Sequence, residues 1–327
     1  MTEKAPVPEM PPRKKLGHKE QIAFVRPVTY QDGRAKDLEA FQFYNGVLDF
    51  TVLKSKCLDI SDMRFRGINM GFLARSGLMA PQPFDCDNDA DPQAGLMGGF
   101  LFTCGLSNAG IRCEEGGIRY PFHGEIRSAP AEYCRADFDF DSGRLYVEGT
   151  VKEATLQGRH LTLRRRIETS YMESGLTLTD EIVNEGYRPE PLLLIYHINF
   201  GWPLLDESTR VSLPTDTPRP ERMGAPVDNC EEVVIPHDPI ADENGVVTCR
   251  VENESRALGA VLRFRKAELP VLGEWRSEAS GDYVTGLEPG LCGVEGRAEL
   301  LRQGRARILQ PGEKLTTHLS IEFYNLP

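Results

Sequence analysis

From about Phe41 onward, apolar and polar residues alternate in short runs such as Phe41-Gln42-Phe43-Tyr44, Leu48-Asp49-Phe50-Thr51-Val52-Leu53 and Arg144-Leu145-Tyr146-Val147-Glu148-Gly149. A period of two sends successive side chains to opposite faces of an extended chain, so these runs predict half-buried strands. The plainest case is Leu161-Thr162-Leu163-Arg164-Arg165-Arg166-Ile167-Glu168-Thr169, a turn at Glu173-Ser174-Gly175, then Leu176-Thr177-Leu178-Thr179-Asp180-Glu181-Ile182-Val183-Asn184, which reads as a β-hairpin. An amphipathic helix would repeat its apolar residues at i+3 and i+4; here they recur at i+2, among many β-branched side chains. Near the end, Arg305-Ala306-Arg307-Ile308-Leu309, a turn at Gln310-Pro311-Gly312-Glu313 and the run Leu315 to Tyr324 predict strand, turn and final strand.

No long helical period and no fixed repeat interrupts this pattern, and glycine and proline fall mostly between the runs. The expectation is an all-β protein of antiparallel sheets packed face to face. Residues 1–19, polar and proline-rich, are expected to form a flexible tail, and 20–327 a single β-sandwich domain. Two stretches, 79–99 and 206–242, are rich in proline or acidic residues and read as long loops of the kind that carry binding function.

Charge narrows the classes of partner. The formal net charge is −11, with no basic run, which argues against nucleic acid and anionic membrane surfaces. A small neutral carbohydrate is compatible, being held by hydrogen bonds and apolar ring contacts. The eight cysteines show no CxxC pair and read as reduced thiols; the start of the chain lacks an apolar signal region. Both features predict a cytoplasmic protein without membrane spans, and a homodimer is the default assembly.

Three stretches place ionisable groups in apolar or turn-forming sequence: Tyr120-Pro121-Phe122-His123-Gly124, Leu194-Ile195-Tyr196-His197-Ile198-Asn199-Phe200-Gly201 and Gly286-Leu287-Glu288-Pro289-Gly290. Burial there would shift pKa values toward the neutral forms, as in catalytic acids and bases. His197 ends an uncharged run that reads as a strand buried on both faces. Taken alone it also reads as a core histidine bonded to a carbonyl, Glu288 as a turn carboxylate facing water, and His123 as an ordinary loop histidine. Before Gly124, the His123 side chain is expected to point into a cleft where the missing Cβ lets a ligand approach. Neither a HxH, HxxxH or CxxC metal pair, nor a phosphate loop, dinucleotide fingerprint or nucleophile elbow is found, so no metal or organic cofactor is expected.

Taken together, Gly99-Phe100-Leu101-Phe102-Thr103-Cys104-Gly105-Leu106-Ser107-Asn108-Ala109-Gly110, His123-Gly124, Tyr196 to Gly201 and Gly286-Leu287-Glu288-Pro289 resemble the aldose 1-epimerase superfamily. They resemble most its bacterial branch carrying a domain-of-unknown-function label. The resemblance implies a galactose mutarotase-like antiparallel β-supersandwich that interconverts the anomers of an aldose by ring opening and reclosure. It places the general acid on His197, the general base on Glu288 and a sugar-binding role on His123, with acid and base on opposite sides of the C1–O5 unit. Asn108, Arg66, Arg127, Asn199 and Arg219, near the matched stretches, are the further candidates for the pocket lining. A non-catalytic carbohydrate-binding protein of the same fold is the principal alternative. Glycoside hydrolysis ranks third, because it needs two carboxylates and only Glu288 has a motif-backed place.

Overall fold

The computed structural model describes residues 9–81 and 95–327. The alternation is realised as two large antiparallel sheets forming a sandwich. The larger, of eleven strands among the described residues, follows the path Phe24–Thr29, Glu39–Tyr44, Leu48–Leu53, Asp59–Phe65, Leu101–Leu106, Glu190–Phe200, Asp282–Gly290, Val271–Ala279 and Val233–His237. The smaller runs Thr209–Ser212, Val246–Asn253, Leu258–Arg265, Lys314–Asn325, Gly175–Asn184, His160–Ser170, Arg144–Ala154 and Glu132–Asp139. Their facing sides bury one continuous apolar cluster that takes Phe50, Ile60, Tyr196, Ile198 and Phe200 from the larger sheet and Leu163, Ile167, Leu178 and Phe323 from the smaller.

The expected hairpin is present: His160–Ser170 and Gly175–Asn184 pair from Leu161 opposite Asn184 to Glu168 opposite Thr177. The closing runs flank their turn as expected but enter different sheets. Arg307–Leu309 pairs with residues Glu190 to Leu192 of the larger sheet, whereas Lys314–Asn325 lies between Gly175–Asn184 and Leu258–Arg265 in the smaller. Asn184 sits at the division, its side-chain amide donating to Leu309 O at 2.9 Å while its backbone carbonyl accepts from Gly312 N at 2.8 Å.

Two expectations change. Of the expected tail, residues 1–8 lie outside the described residues. Residues 9–19 pack along the sandwich: Met10 rests against the main cluster, Lys19 Nζ bonds Asp137 Oδ1 at 2.7 Å and Phe138 O at 2.6 Å, and Arg13 contacts Asp141. A thioether and two cations near a strand end anchor a segment whose own composition predicts freedom. The stretch 206–242 is not wholly loop: it contains Thr209–Ser212 and Val233–His237, the latter an edge strand that tolerates Pro236. Residues 82–94, most of the other expected loop, lie outside the described residues.

A buried polar network ties the two sheets. Arg165, from the smaller sheet, donates to Asp180 Oδ1 and Oδ2 at 3.0 and 2.8 Å, and reaches across to Asp59 Oδ1 at 2.8 Å and Cys57 O at 3.0 Å. Asp59 also accepts from Thr103 N and Oγ1 at 2.9 and 2.6 Å. The Tyr196 hydroxyl donates to Asp180 Oδ2 at 2.7 Å and lies 2.6 Å from Thr317 Oγ1. Removing the cation alone would strand two buried carboxylates, so Arg165→Met is expected to cost about 3–5 kcal/mol of folding stability. Urea denaturation of the variant beside the wild type measures it; an unchanged midpoint would show that the network contributes nothing net.

Candidate functional site

The strand Glu190–Phe200 positions the site. Tyr196, Ile198 and Phe200 face the main core, with the tyrosine hydroxyl held in the network just described. Alternation then sends His197 and Asn199 to the opposite face of the larger sheet. There a second apolar cluster, containing Phe102, Cys104, Leu193 and Ile195, packs beneath the short helix Arg297–Arg302 through Leu300. The uncharged run before His197 is thus buried on both faces, as its composition predicts.

Register assembles the rest. Phe102 stands opposite His197 on one neighbouring strand. On the other, Gly286 stands opposite Asn199 and Leu287 opposite Ile198, which brings Glu288 beside His197. One strand further, Gly273 faces Glu288 and Trp275 faces Gly286. The two glycines make room: a Cβ on Gly286 would lie 2.6 Å from His197 Cε1, and one on Gly273 would lie 3.1 Å from Glu288 Oε2. Glu288 therefore belongs to the strand Asp282–Gly290 and not to a turn, and the proline that suggested one pairs with Leu272 inside the sheet.

His197 Nε2 lies 3.2 Å from Glu288 Oε1, both side chains being almost fully buried. His197 Nδ1 is 2.5 Å from Asn199 Oδ1, and Asn199 Nδ2 donates to Gly99 O at 2.9 Å. Burial pushes the Glu288 carboxyl above the ordinary glutamate value; the nearby Glu232 charge adds to this and His197 opposes it. These groups floor a cavity of about 770 Å³ whose walls include Phe72, Phe102, Phe122 and Trp275, with Glu231, Glu232 and Asp282 among its polar lining. The imidazole and the carboxylate thus stand side by side on one wall of this cavity.

His123 also lines the cavity, its ring centroid 6.1 Å from that of His197 and perpendicular to it. It adopts a left-handed backbone, φ 61°, and Gly124 follows with φ 79°. The missing Cβ at Gly124 does not admit a ligand: a Cβ would lie 2.1 Å from Gly105 O and 2.3 Å from Asn108 O, so glycine is needed for backbone packing. Burial, followed by the charges of His197 and Arg127, holds the His123 imidazole well below the ordinary histidine value.

The other expected lining residues divide. Asn199 lines the cavity. Asn108 is instead buried as a brace: Nδ2 donates to Ile111 O and Pro121 O at 3.1 and 2.7 Å, and Oδ1 accepts from Arg297 N at 2.8 Å. It thereby holds the loop that delivers Ile111 and His123. Arg219 is engaged with Glu274 Oε2 and Oε1 at 2.5 and 2.6 Å, and Glu274 also contacts His237 Nε2 at 3.3 Å. Arg66 sits exposed in the turn between Asp59–Phe65 and Ile68–Asn69, over the Phe65 ring. Arg127 is buried on the turn Ile126–Ser128 and acts on the site through its charge, outside the lining itself. Short sequence distance to a motif misleads for these four because alternation and turns carry them to other faces.

Residues that sequence reasoning missed include Trp275, whose ring centroid lies 5.1 Å from that of His197, and Glu232, which accepts from Trp275 Nε1 at 2.8 Å. A signal existed in Trp275, one of only two tryptophans, at an alternating position of Val271–Ala279. Among the described residues no group of three His, Cys, Asp or Glu side chains is placed to hold a metal ion, and no helix is long and apolar enough to cross a membrane.

Comparison with known proteins agrees with this arrangement at the level of fold. A family model described as a domain of unknown function, DUF4432, matches residues 35–323. A crystal structure provisionally named an aldose 1-epimerase, from Klebsiella pneumoniae, is similar over 92% of this chain and 83% of its own, at 22% identity and a TM-score of 0.85. A galactose mutarotase-like protein from Clostridium acetobutylicum is similar over 94% of this chain and 100% of its own, at 15% identity and a TM-score of 0.67. A galactose 1-epimerase from Lactobacillus acidophilus is similar over 93% and 99%, at 15% identity and a TM-score of 0.58. No curated protein matches the chain.

The depressed pKa of His123 makes stability depend on pH. Below about 6.5, the ordinary histidine value, the unfolded chain takes up a proton that the folded chain refuses. Stability present above that pH is therefore lost as pH falls toward the lower folded value. His123→Asn, which tolerates the left-handed backbone, should lose less stability between neutral and mildly acidic pH than the wild type. Parallel slopes in urea melts at the two pH values would refute the assignment.

Proposed function

We propose that this chain, which belongs to the DUF4432 family, is an aldose 1-epimerase-type enzyme that interconverts the anomers of an aldose without a metal or organic cofactor. The observation that carries the reading is the pairing of His197 Nε2 with Glu288 Oε1 at 3.2 Å on the floor of the aromatic-walled cavity. The anomeric oxygen and the ring oxygen hang on the same carbon, so adjacent base and acid can address both. A buried carboxylate beside an imidazolium suits the two proton transfers.

The steps balance within the pair. Ionised Glu288 takes the proton of the anomeric hydroxyl as its oxygen forms the carbonyl. The C1–O5 bond breaks, its electron pair passes to O5, and O5 takes the Nε2 proton of His197. Rotation about C1–C2 turns the aldehyde. Its other face is then attacked by the O5 hydroxyl, which returns its proton to neutral His197 Nε2, while Glu288 returns its own to the former carbonyl oxygen. His123, held neutral by its burial, serves as a hydrogen-bonding group toward a sugar hydroxyl and not as an acid. The aromatic walls offer apolar faces to the ring's C–H groups.

Exchange NMR or polarimetry across a panel of aldoses tests the proposal. Glu288→Gln should lower anomer exchange by about 10²- to 10⁴-fold with sugar binding largely retained, and His197→Asn should act comparably. Saturable binding of an aldose with no acceleration of exchange by the wild type would favour a carbohydrate-binding role. Near-normal exchange by Glu288→Gln would remove that residue from the mechanism.

A further inference from the structure

The site contains a polar side chain that the proton transfers do not use. Asn199 lies on the His197 face, two residues along the same strand, and is almost fully buried. Its Nδ2 is 2.9 Å from Gly99 O. A carbonyl only accepts, so the amide nitrogen must be the atom on that side and Oδ1 the atom facing His197. Oδ1 is 2.5 Å from His197 Nδ1. Two lone pairs cannot face each other at that separation, so the hydrogen sits on Nδ1 and is donated to Asn199.

From this geometry we infer that Asn199 is a positioning residue that fixes His197 in the tautomer carrying its hydrogen on Nδ1, leaving Nε2 alone to exchange protons at the reacting centre. The inference rests on the acid/base reading above. With Nδ1–H fixed, neutral His197 presents a lone pair at Nε2, beside Glu288 Oε1 at 3.2 Å. That is the form that can take a proton back when the ring closes. A ring free to choose could shed the Nδ1 proton instead, leaving Nε2–H and no acceptor toward the substrate. The same contact sets the ring's rotation, and the missing Cβ of Gly286 is what lets both side chains approach: a Cβ there would lie 2.9 Å from His197 Nδ1 and 3.0 Å from Asn199 Oδ1.

The tautomer is read directly by ¹⁵N NMR of the histidine-labelled protein, assigning His197 by its loss in His197→Asn. The neutral ring of the wild type should show a protonated Nδ1 and an unprotonated Nε2. Asn199→Leu should move the ring toward the Nε2-protonated form and lower kcat for anomer exchange by roughly 10- to 100-fold with KM little changed. Asn199→Asp, which keeps an oxygen acceptor at Nδ1, should retain the Nδ1-protonated pattern and recover most of the lost kcat. A wild-type neutral ring protonated on Nε2, or an Asn199→Leu enzyme with undiminished kcat, would overturn the inference. The ¹⁵N pattern is recorded without substrate, so it stands or falls separately from whether any sugar is turned over.

Discussion

The contact between His197 Nε2 and Glu288 Oε1 is the feature on which the functional account depends, and the sheet produces it through register. The two residues are far apart in sequence but adjacent across one strand pair, with Leu287 opposite Ile198 and Gly286 opposite Asn199. A slip of one residue would turn the imidazole or the carboxylate into the core. The Tyr196 hydroxyl guards against that slip, because its bonds to Asp180 and Thr317 commit its own side chain to the opposite face.

The stability of the sandwich and the chemistry of its cavity are therefore joined at one peptide bond. On one side Tyr196 enters a network whose centre, Arg165, binds carboxylates from both sheets. On the other, His197 meets Glu288 and Asn199 in a pocket that burial has made low in polarity. Burial favours a neutral Glu288, the Glu232 charge works in the same direction and His197 opposes it, so the carboxyl lies above the ordinary glutamate value. His123 is held toward its neutral form, chiefly by burial and then by its electrostatic contacts with His197 and Arg127.

Much of this was legible in the sequence. Period-two alternation predicted the hairpin 160–184 and the sandwich class, and the uncharged run ahead of His197 predicted a strand buried on both faces. The resemblance to aldose 1-epimerases pointed to His197, Glu288 and His123, which meet in one cavity. What stayed hidden depends on pairings between distant strands. Trp275 reaches His197 only because Val271–Ala279 lies beside Asp282–Gly290, and Glu232 only because Trp275 holds it. The arginines chosen for nearness to motifs were claimed elsewhere: Arg219 by Glu274, Arg66 by an exposed turn, Arg127 by a buried position on the turn Ile126–Ser128, outside the cavity lining. Gly124 reads as an opening for ligand in the sequence and proves to be a packing requirement, because only coordinates show the carbonyls that crowd it.

The central claim, that His197 and Glu288 act as one proton-transferring unit, is tested most directly by a double-mutant cycle. Anomer exchange would be measured for the wild type, His197→Asn, Glu288→Gln and the combined variant, on whichever aldose the wild type turns over fastest. If the pair is one unit, the combined variant should be scarcely slower than either single variant, because the first substitution already removes what the second would. Losses that multiply would mean that the two groups act independently and would contradict the account.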